Sequence, residues 1–505
     1  MPELIEYTCS VAGCDNTRIS YEANCTWCHK VWCLNHVNDD AHQCAVVERT
    51  LPSNLRYPEW KLIRDDANRI ELTKLLAQVI EHQSHIINDA ISLRPGHLCT
   101  MDIPVDYEAL KESKWFAYYN LHFLILFDDK VKWLLRVRQT RGQRLPKEIT
   151  ETVIKSEVAT VNLLKGYGIP VPGAYLPAHM DASKAKENDT TLDYFFYEYM
   201  TGSPVQLFTK GFCVEDIPPE ATMRHLIEEY AGMQIQLSNI RVPYKALGCI
   251  YPTDSGETQV GPIVSRGCFM NPKPPYFMGP FSSLRELTLA HIEAALRYIK
   301  LNALQGRHPL DEYLWHLEMR ELVAASKELA EESEELFIKH VDKKGDEMMV
   351  DGNGTIVGIL DWEWAYVTTK RDALSTPWIF NRTFAYIKAG SNELTEAEKF
   401  LITCYEHHHR PDLANCVRGG RLYLRLERIG FYDPVYRKSG FRQVFGKDIP
   451  ADFDPPSEDV DWRVYMIKRY QNDIGLREVM ERFEWTLEKA EMEASRWVRK
   501  EEKKG

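Results

Sequence analysis

Ile338-Lys339-His340-Val341-Asp342-Lys343-Lys344-Gly345-Asp346-Glu347, followed shortly by Val357-Gly358-Ile359-Leu360-Asp361-Trp362-Glu363, is the most informative part of this chain. Asp342 closes a His-x-Asp turn and lies 19 residues before Asp361, which ends an apolar, β-branched run. Between them, Met348-Met349-Val350 reads as a short strand and Asp351-Gly352-Asn353-Gly354 as a tight hairpin turn. A hairpin fixes the separation of the two carboxylates it carries. Phosphoryl transfer needs such a pair: one acid to orient and deprotonate an attacking hydroxyl, another to hold the magnesium that bridges the phosphates. Asp342 is the expected base and Asp361 the expected metal ligand. Acids on hairpin tips commonly serve only the turn, and Asp346 and Asp351 are read that way. His340 and the intervening hairpin set Asp342 and Asp361 apart.

The 505 residues allow about two to four domains, and a hydrophobic content of 44% supports a sizeable core. A net charge of −12 argues against a general nucleic-acid binder, which would carry a basic surface. The opening Met-Pro-Glu-Leu-Ile-Glu is acidic where a signal peptide is basic, and no apolar run reaches membrane-span length. The expectation is a soluble, cytoplasmic protein, with the nucleus open as well.

Six of the 12 cysteines fall within residues 9–44. They read as Cys9-x4-Cys14, Cys25-x2-Cys28, Cys33-x2-His36 and His42-x-Cys44. Eight Cys and His ligands in close pairs suit two tetrahedral zinc ions, and a segment this short cannot build an adequate core without metal. One pairing is a cross-brace, with Cys9, Cys14, Cys33 and His36 on one ion and Cys25, Cys28, His42 and Cys44 on the other. Sequential pairing is its rival. The spacing resembles the AN-one-type zinc finger with a wider first pair, and that resemblance implies a protein partner.

Residues 45–60 read as a linker, and helical spacing then runs from Trp60 to about Leu93. Tyr118 to Phe127 and Val131 to Arg138 alternate as a hairpin around Asp128-Asp129-Lys130. A helix is expected from Ile149 to Tyr167, and a strand from Tyr194 to Met200. Ala221 to Leu237 is helical, residues 249–282 are loop-like, and helices return from Leu284 to Leu336. His407-His408-His409 point three ways on a helix and read as solvent-exposed. The domain expectation is a zinc module (1–48), linker and helix (49–100), a β-rich lobe (101–204), a helical lobe with the hairpins (205–450) and a helical extension (451–505).

A β-rich lobe, a strand ending in Glu198-Tyr199-Met200-Thr201-Gly202, and a helical lobe with His-x-Asp and Asp-Trp-Glu together resemble the aminoglycoside phosphotransferase family. The likeness runs from about residue 115 to 400. It is nearest to divergent fungal members, whose loop pattern is echoed by Gly248-Cys-Ile-Tyr, Val260-Gly-Pro and Gly279-Pro-Phe-Ser-Ser. The resemblance implies an α+β, two-lobed protein-kinase-like fold, preceded here by the zinc module. It implies catalytic Asp342 with His340 supporting its loop, Asp361 on magnesium, Glu157 as the helix acid, and Glu198 to Met200 as the stretch that meets the adenine of ATP. Three positions depart from the family. Arg136 stands where a phosphate-binding Lys is usual, with Arg138 on the same strand face. No glycine lies between Trp115 and Asp128, and Glu347 replaces the usual second magnesium ligand, an Asn.

The leading expectation is an ATP-dependent phosphotransferase acting on a small molecule with a free hydroxyl. The competing one is a pseudokinase-like adaptor whose zinc module recruits a partner, favoured by Arg136, Glu347 and the missing glycines.

Overall fold

In a computed structural model, the structure describes residues 7–8, 17–18, 56–113, 120–139, 147–180, 192–205, 220–253, 255–263, 276–301, 308–342, 345–381, 391–427, 429–430, 437 and 440–501. Strands β1 (Tyr7–Thr8) and β2 (Thr17–Arg18) pair antiparallel. The eight expected zinc ligands, Cys9 to Cys44, lie outside the described residues. Contacts divide the chain into two compact units, residues 1–154 with 174–199, and residues 155–173 with 200–505. The chain passes from the first to the second after Ile154, returns at Ala174, and passes over again between Tyr199 and Met200.

The first unit contains α1 (Arg56–Glu81), α2 (Gln83–Leu93), β3 (Cys99–Asp102), α3 (Tyr107–Glu112), β4 (Asn120–Phe127), β5 (Lys132–Arg138), β6 (Ala174–Tyr175) and β7 (Tyr194–Glu198). Its antiparallel sheet runs β3-β4-β5-β7-β6 among the described residues. Alternation gives this sheet two chemically different faces. Leu121, Phe123, Ile125, Phe127, Trp133, Leu135, Val137, Tyr194 and Phe196 form one face and bury against Leu72, Leu76, Val79, Ile86 and Ala90 of the two long helices. Each such aliphatic or aromatic side chain contributes about 1.5–3 kcal/mol by leaving water. Tyr194 Oη donates to Asp89 at 2.6 Å, fastening α2 to the sheet. Residues 49–100, expected as linker and helix, thus supply Leu72, Leu76, Val79, Ile86 and Ala90 to this core, and Cys99 and Thr100 begin the edge strand β3. The opposite face carries Asn120 across from Arg138, and His122 across from Arg136.

Helix α4 (Lys147–Gly166) ends as its sequence suggests. Gly168 adopts φ +78°, its N–H donates to Lys165 O at 2.9 Å, and Ile169 N–H reaches back to Leu164 O at 3.1 Å. That closure satisfies the last carbonyls before Pro170 and Pro172, and both Ile169 and Leu164 are buried.

The second unit holds β8 (Ser203–Pro204), α5 (Glu220–Ser238), β9 (Cys249–Pro252), β10 (Thr258–Gly261), α6 (Leu284–Lys300), α7 (Pro309–Ala325), α8 (Lys327–Ala330), β11 (Phe337–Lys339), β12 (Met348–Val350), β13 (Ile356–Ile359) and β14 (Tyr366–Thr368). Helices α9 (Lys370–Ala373), α10 (Trp378–Asn381), α11 (Glu396–His407), α12 (Pro411–Arg418), α13 (Arg421–Leu426), α14 (Asp459–Arg469), α15 (Ile474–Arg482) and α16 (Leu487–Glu501) follow. Among the described residues no helix is long and apolar enough to cross a membrane.

One expectation changes here. Residues 249–282, read as loop from their Gly and Pro content, contain the antiparallel pair β9–β10. The glycines serve close approach. A Cβ on Gly248 would strike the Gly261 carbonyl, and one on Gly261 would strike the Tyr251 ring. The C-terminal helices are tied into the second unit by charged pairs. Arg463 pairs with Asp311 at 2.6 Å, Trp462 Nε1 donates to Glu318 at 2.7 Å, and Arg469 pairs with Glu321, so α14 is bolted along α7. Ile474 is exposed at the start of α15.

Candidate functional site

Two short antiparallel pairs in the second unit present the residues around Asp342 and Asp361. Strand β11 pairs with β14 (Lys339 opposite Tyr366), and β12 pairs with β13 (Met348 opposite Ile359). Asp342 therefore lies on the β11–β12 connection and Asp361 on the β13–β14 connection, both half-buried. The register brings the two connections together at one residue. Leu360 N–H donates to the Glu347 carbonyl at 2.8 Å, and the Leu360 carbonyl lies 2.8 Å from His340 Nε2. The His340 ring, 4.6 Å from that of Trp362, is held edge-on, and Trp362 Nε1 donates to Ile359 O at 3.2 Å. Trp362 and Trp364 are buried.

Asp361 follows this clasp with φ +63°, left-handed backbone that Asp tolerates better than most residues. The backbone thus turns sharply right at the expected metal ligand. Ile359 N–H also donates to Pro170 O at 2.8 Å, which ties β13 to the turn after α4. On the far side of the hairpin, Asp351 Oδ1 accepts from Asn353 N and Thr355 N at 2.8 and 3.0 Å, the turn role assigned to it. Strand β8, just past Met200, pairs with β12, and Val205 N–H donates to Met348 O at 2.9 Å.

Glu347 departs from its expected setting. It is buried, 6% exposed, and its Oε2 accepts from Gly345 N at 2.6 Å. Burial pushes its carboxyl up to about 8, with the charges of Asp346 and Asp342 adding to the rise and backbone hydrogen bonds opposing it. Tyr230 lies near enough for that charge to raise its own phenol, which burial already lifts well above the ordinary range. Among the described residues, the group of three potential ligands whose donor atoms all lie within 4.8 Å of one another is His97, Asp128 and Asp129, not Asp342, Glu347 and Asp361. They lie on the first unit, with Asp128 and Asp129 exposed and His97 half-buried. Arg94 grips Asp129 at 2.5 Å, and His97 Nδ1 and Leu98 N–H hold Asp128 at 2.9 and 3.2 Å, so ion pairs and turn bonds already engage them.

The remaining expected nucleotide contacts are distributed as follows. Arg136, on β5 in the first unit, is buried; its Nη1 donates to Tyr197 Oη at 3.1 Å and its guanidinium lies 5.5–5.7 Å from the Tyr197 and Phe195 ring centres. Arg138 is buried on the same face. Glu198 ends β7 and accepts from Tyr175 Oη at 2.9 Å; burial, and then this bond to a carboxylate, push that phenol up to about 12. Met200 and Glu157 belong to the second unit. Glu157 is 2% exposed, so it is not on a solvated helix face. His407, His408 and His409 are all exposed.

A buried charge network beside the site was not read from the sequence. Lys339 Nζ lies 2.7 Å from Asp372 Oδ1 and 3.4 Å from Glu427. Tyr366 Oη and Thr368 Oγ1 donate to Asp372 Oδ2 at 2.9 and 3.0 Å, and Trp378 Nε1 donates to Glu427. Burial alone would lower the lysine, but Asp372, Tyr366 and Glu427 outweigh it and hold the ammonium well above the ordinary range. The signal was available: a lysine between Ile338 and His340 in a strand buried at every position has to find carboxylates.

No protein-family model matches this chain, and no curated protein matches it. Solved structures do. A thermostable mutant of aminoglycoside phosphotransferase APH(4)-Ia, in ternary complex with ADP and hygromycin B, is 12% identical with a TM-score of 0.36, over 72% of this chain and 92% of that one. An ethanolamine kinase from Plasmodium vivax is 13% identical with a TM-score of 0.38, over 70% of this chain and 79% of that one. Macrolide 2'-phosphotransferase MphH from Brachybacterium faecium is 12% identical with a TM-score of 0.33, over 72% of this chain and 99% of that one. At these TM-scores the likeness carries no argument, and the functional reading rests on the residues of this chain.

Proposed function

We propose that this chain is an ATP-dependent phosphotransferase that transfers the terminal phosphoryl group of ATP to a hydroxyl of a small molecule. The observation that carries the reading is the clasp at Leu360. His340 and Glu347, from the Asp342 connection, hold the two ends of the residue immediately before Asp361. Asp342 orients the acceptor hydroxyl and takes its proton as the oxygen attacks phosphorus. His340 keeps the loop in register. Asp361 is the magnesium ligand, and magnesium, when bound, neutralises charge on the phosphates. The donor set suits it, since a carboxylate on a fixed turn is a hard oxygen ligand that leaves room for water and phosphate. Arg136 and Glu157 are assigned to the phosphates, and Glu198 to Met200 to the adenine, following the family likeness. Residues 101–204 and 205–450 correspond to the two lobes on this reading. Residues 1–48 hold two zinc ions through Cys9, Cys14, Cys25, Cys28, Cys33, His36, His42 and Cys44, and dock a protein partner.

The test is ATP turnover across a panel of aminoglycosides, amino alcohols and sugars with wild type and Asp342→Asn. Loss of a proton-accepting carboxylate costs about 10²–10⁴-fold. Equal turnover by both proteins refutes the role of Asp342. A second reading, a nucleotide-binding or inert adaptor, is favoured by the burial of Glu347. Thermal shift with ATP separates the enzyme from an inert scaffold, because only the enzyme is stabilised in a magnesium-dependent way, and the turnover assay separates it from an adaptor that binds nucleotide without transferring phosphate.

A further inference from the structure

We infer that Glu347 is a positioning residue that locks the turn after Asp342, and that it does not ligate magnesium. The inference rests on the phosphotransferase reading of Asp342 and Asp361 and departs from the role that its place in the sequence suggests.

Five observations converge on it. The Glu347 carboxyl is already engaged, with Oε2 accepting from Gly345 N at 2.6 Å. The turn it holds has little freedom: Gly345 sits at φ +110°, and a Cβ there would collide with the Ile379 side chain. Its main chain is engaged too, since the Glu347 carbonyl accepts from Leu360 N–H and Met348 pairs with Ile359 immediately after. One residue therefore grips the Asp342 connection with its side chain and the Asp361 connection with its backbone.

The surroundings do not suit a hydrated cation. Magnesium requires near-octahedral oxygen geometry and keeps several waters. Near Glu347 stands the buried Tyr230, whose hydroxyl accepts from Gln234 Nε2 at 2.9 Å and whose ring meets that of Phe380 edge-on at 5.1 Å. The donor atoms of Asp342, Glu347 and Asp361 also do not gather within 4.8 Å of one another.

The side-chain oxygen of glutamine can accept the Gly345 N–H as glutamate does, yet glutamine is a far poorer magnesium ligand. Glu347→Gln thus separates the two roles. The full chain is compared as wild type, Glu347→Gln, Glu347→Ala and Asp361→Asn by two measurements: magnesium half-saturation of ATP binding by calorimetry, and amide hydrogen exchange over residues 345–350. The expected result for Glu347→Gln is a half-saturation and an exchange rate close to wild type. Glu347→Ala keeps the half-saturation but exchanges about tenfold faster at the turn. Asp361→Asn raises the half-saturation about tenfold or more. A rise of that size in Glu347→Gln, with exchange unchanged, overturns the inference. Should wild type bind no ATP at any magnesium concentration, the phosphotransferase reading fails. Exchange in Glu347→Ala then still judges the lock, and an unchanged rate overturns it.

Discussion

Lys339→Met is the most exacting test of the charge network beside the site. The lysine and Asp372 side chains are each 5% exposed and meet at 2.7 Å, so neither charge is solvated in the fold. Removing one partner of a buried pair costs about 3–5 kcal/mol, because the other charge is left stranded. Asp372 keeps donors from Tyr366 and Thr368, which offset part of that loss, and the expected cost is about 3 kcal/mol. Lys339→Met with Asp372→Asn removes both charges while the asparagine oxygen still accepts from the hydroxyls. The double variant is therefore expected to cost about 1–2 kcal/mol, well under the sum of the singles, with a coupling of about 1–3 kcal/mol. Urea unfolding at pH 7, followed by far-UV circular dichroism, measures all four proteins. A Lys339→Met cost below about 1 kcal/mol, or additive singles, would refute the argument that the network is a buried, mutually compensating set.

Further outcomes follow from other contacts. His316 Nε2 accepts from Gly430 N–H at 3.0 Å while Nδ1 donates to Glu312 O at 2.6 Å, and burial holds the ring down to about 4. Because the folded value lies below the unfolded one, this stability is full above about pH 6.5 and is lost as pH falls toward 4, by about 3 kcal/mol. Urea midpoints at pH 7 and 4.5 should fall further for wild type than for His316→Gln, and parallel falls refute the assignment. Phe123→Ala empties the centre of the first unit's core and should cost about 3–5 kcal/mol by urea unfolding, whereas a cost under 1 would show that the site collapses freely. Tyr194→Phe removes the hydroxyl that donates to buried Asp89 and should cost about 1–2 kcal/mol in the same assay.

The elements legible in advance were those with strong local periodicity. The β4–β5 hairpin follows from alternation on either side of Asp128-Asp129-Lys130, and Lys130 indeed turns the chain with φ +70°. Helix α4 and its end follow from helical spacing stopped by Gly168 and Pro170. The strands around Asp351 follow from a β-branched run and a glycine-rich turn. The β9–β10 pair was illegible, because glycines needed for backbone approach look locally like loop glycines. Burial of Glu157 was likewise hidden, since a helix acid carries no mark of what covers it.

The order of residues along the chain set the candidate chemistry: His340 and Asp342 before a hairpin, and Asp361 after it. Spacing along a covalent chain is a local quantity, and two short strands joined by a glycine turn have few alternatives. Whether a carboxylate in that stretch faces a metal or an amide is not local. Glu347 occupies a ligand's place in sequence, yet Gly345, Leu360, Tyr230 and Ile379 give it a buried hydrogen-bonding place in space. Lys339 shows the same division, because the acids that compensate it come from residues 372 and 427, brought near only by packing of distant helices. Desolvation depends on everything that surrounds a group, so the fate of a charge is set by the folded whole.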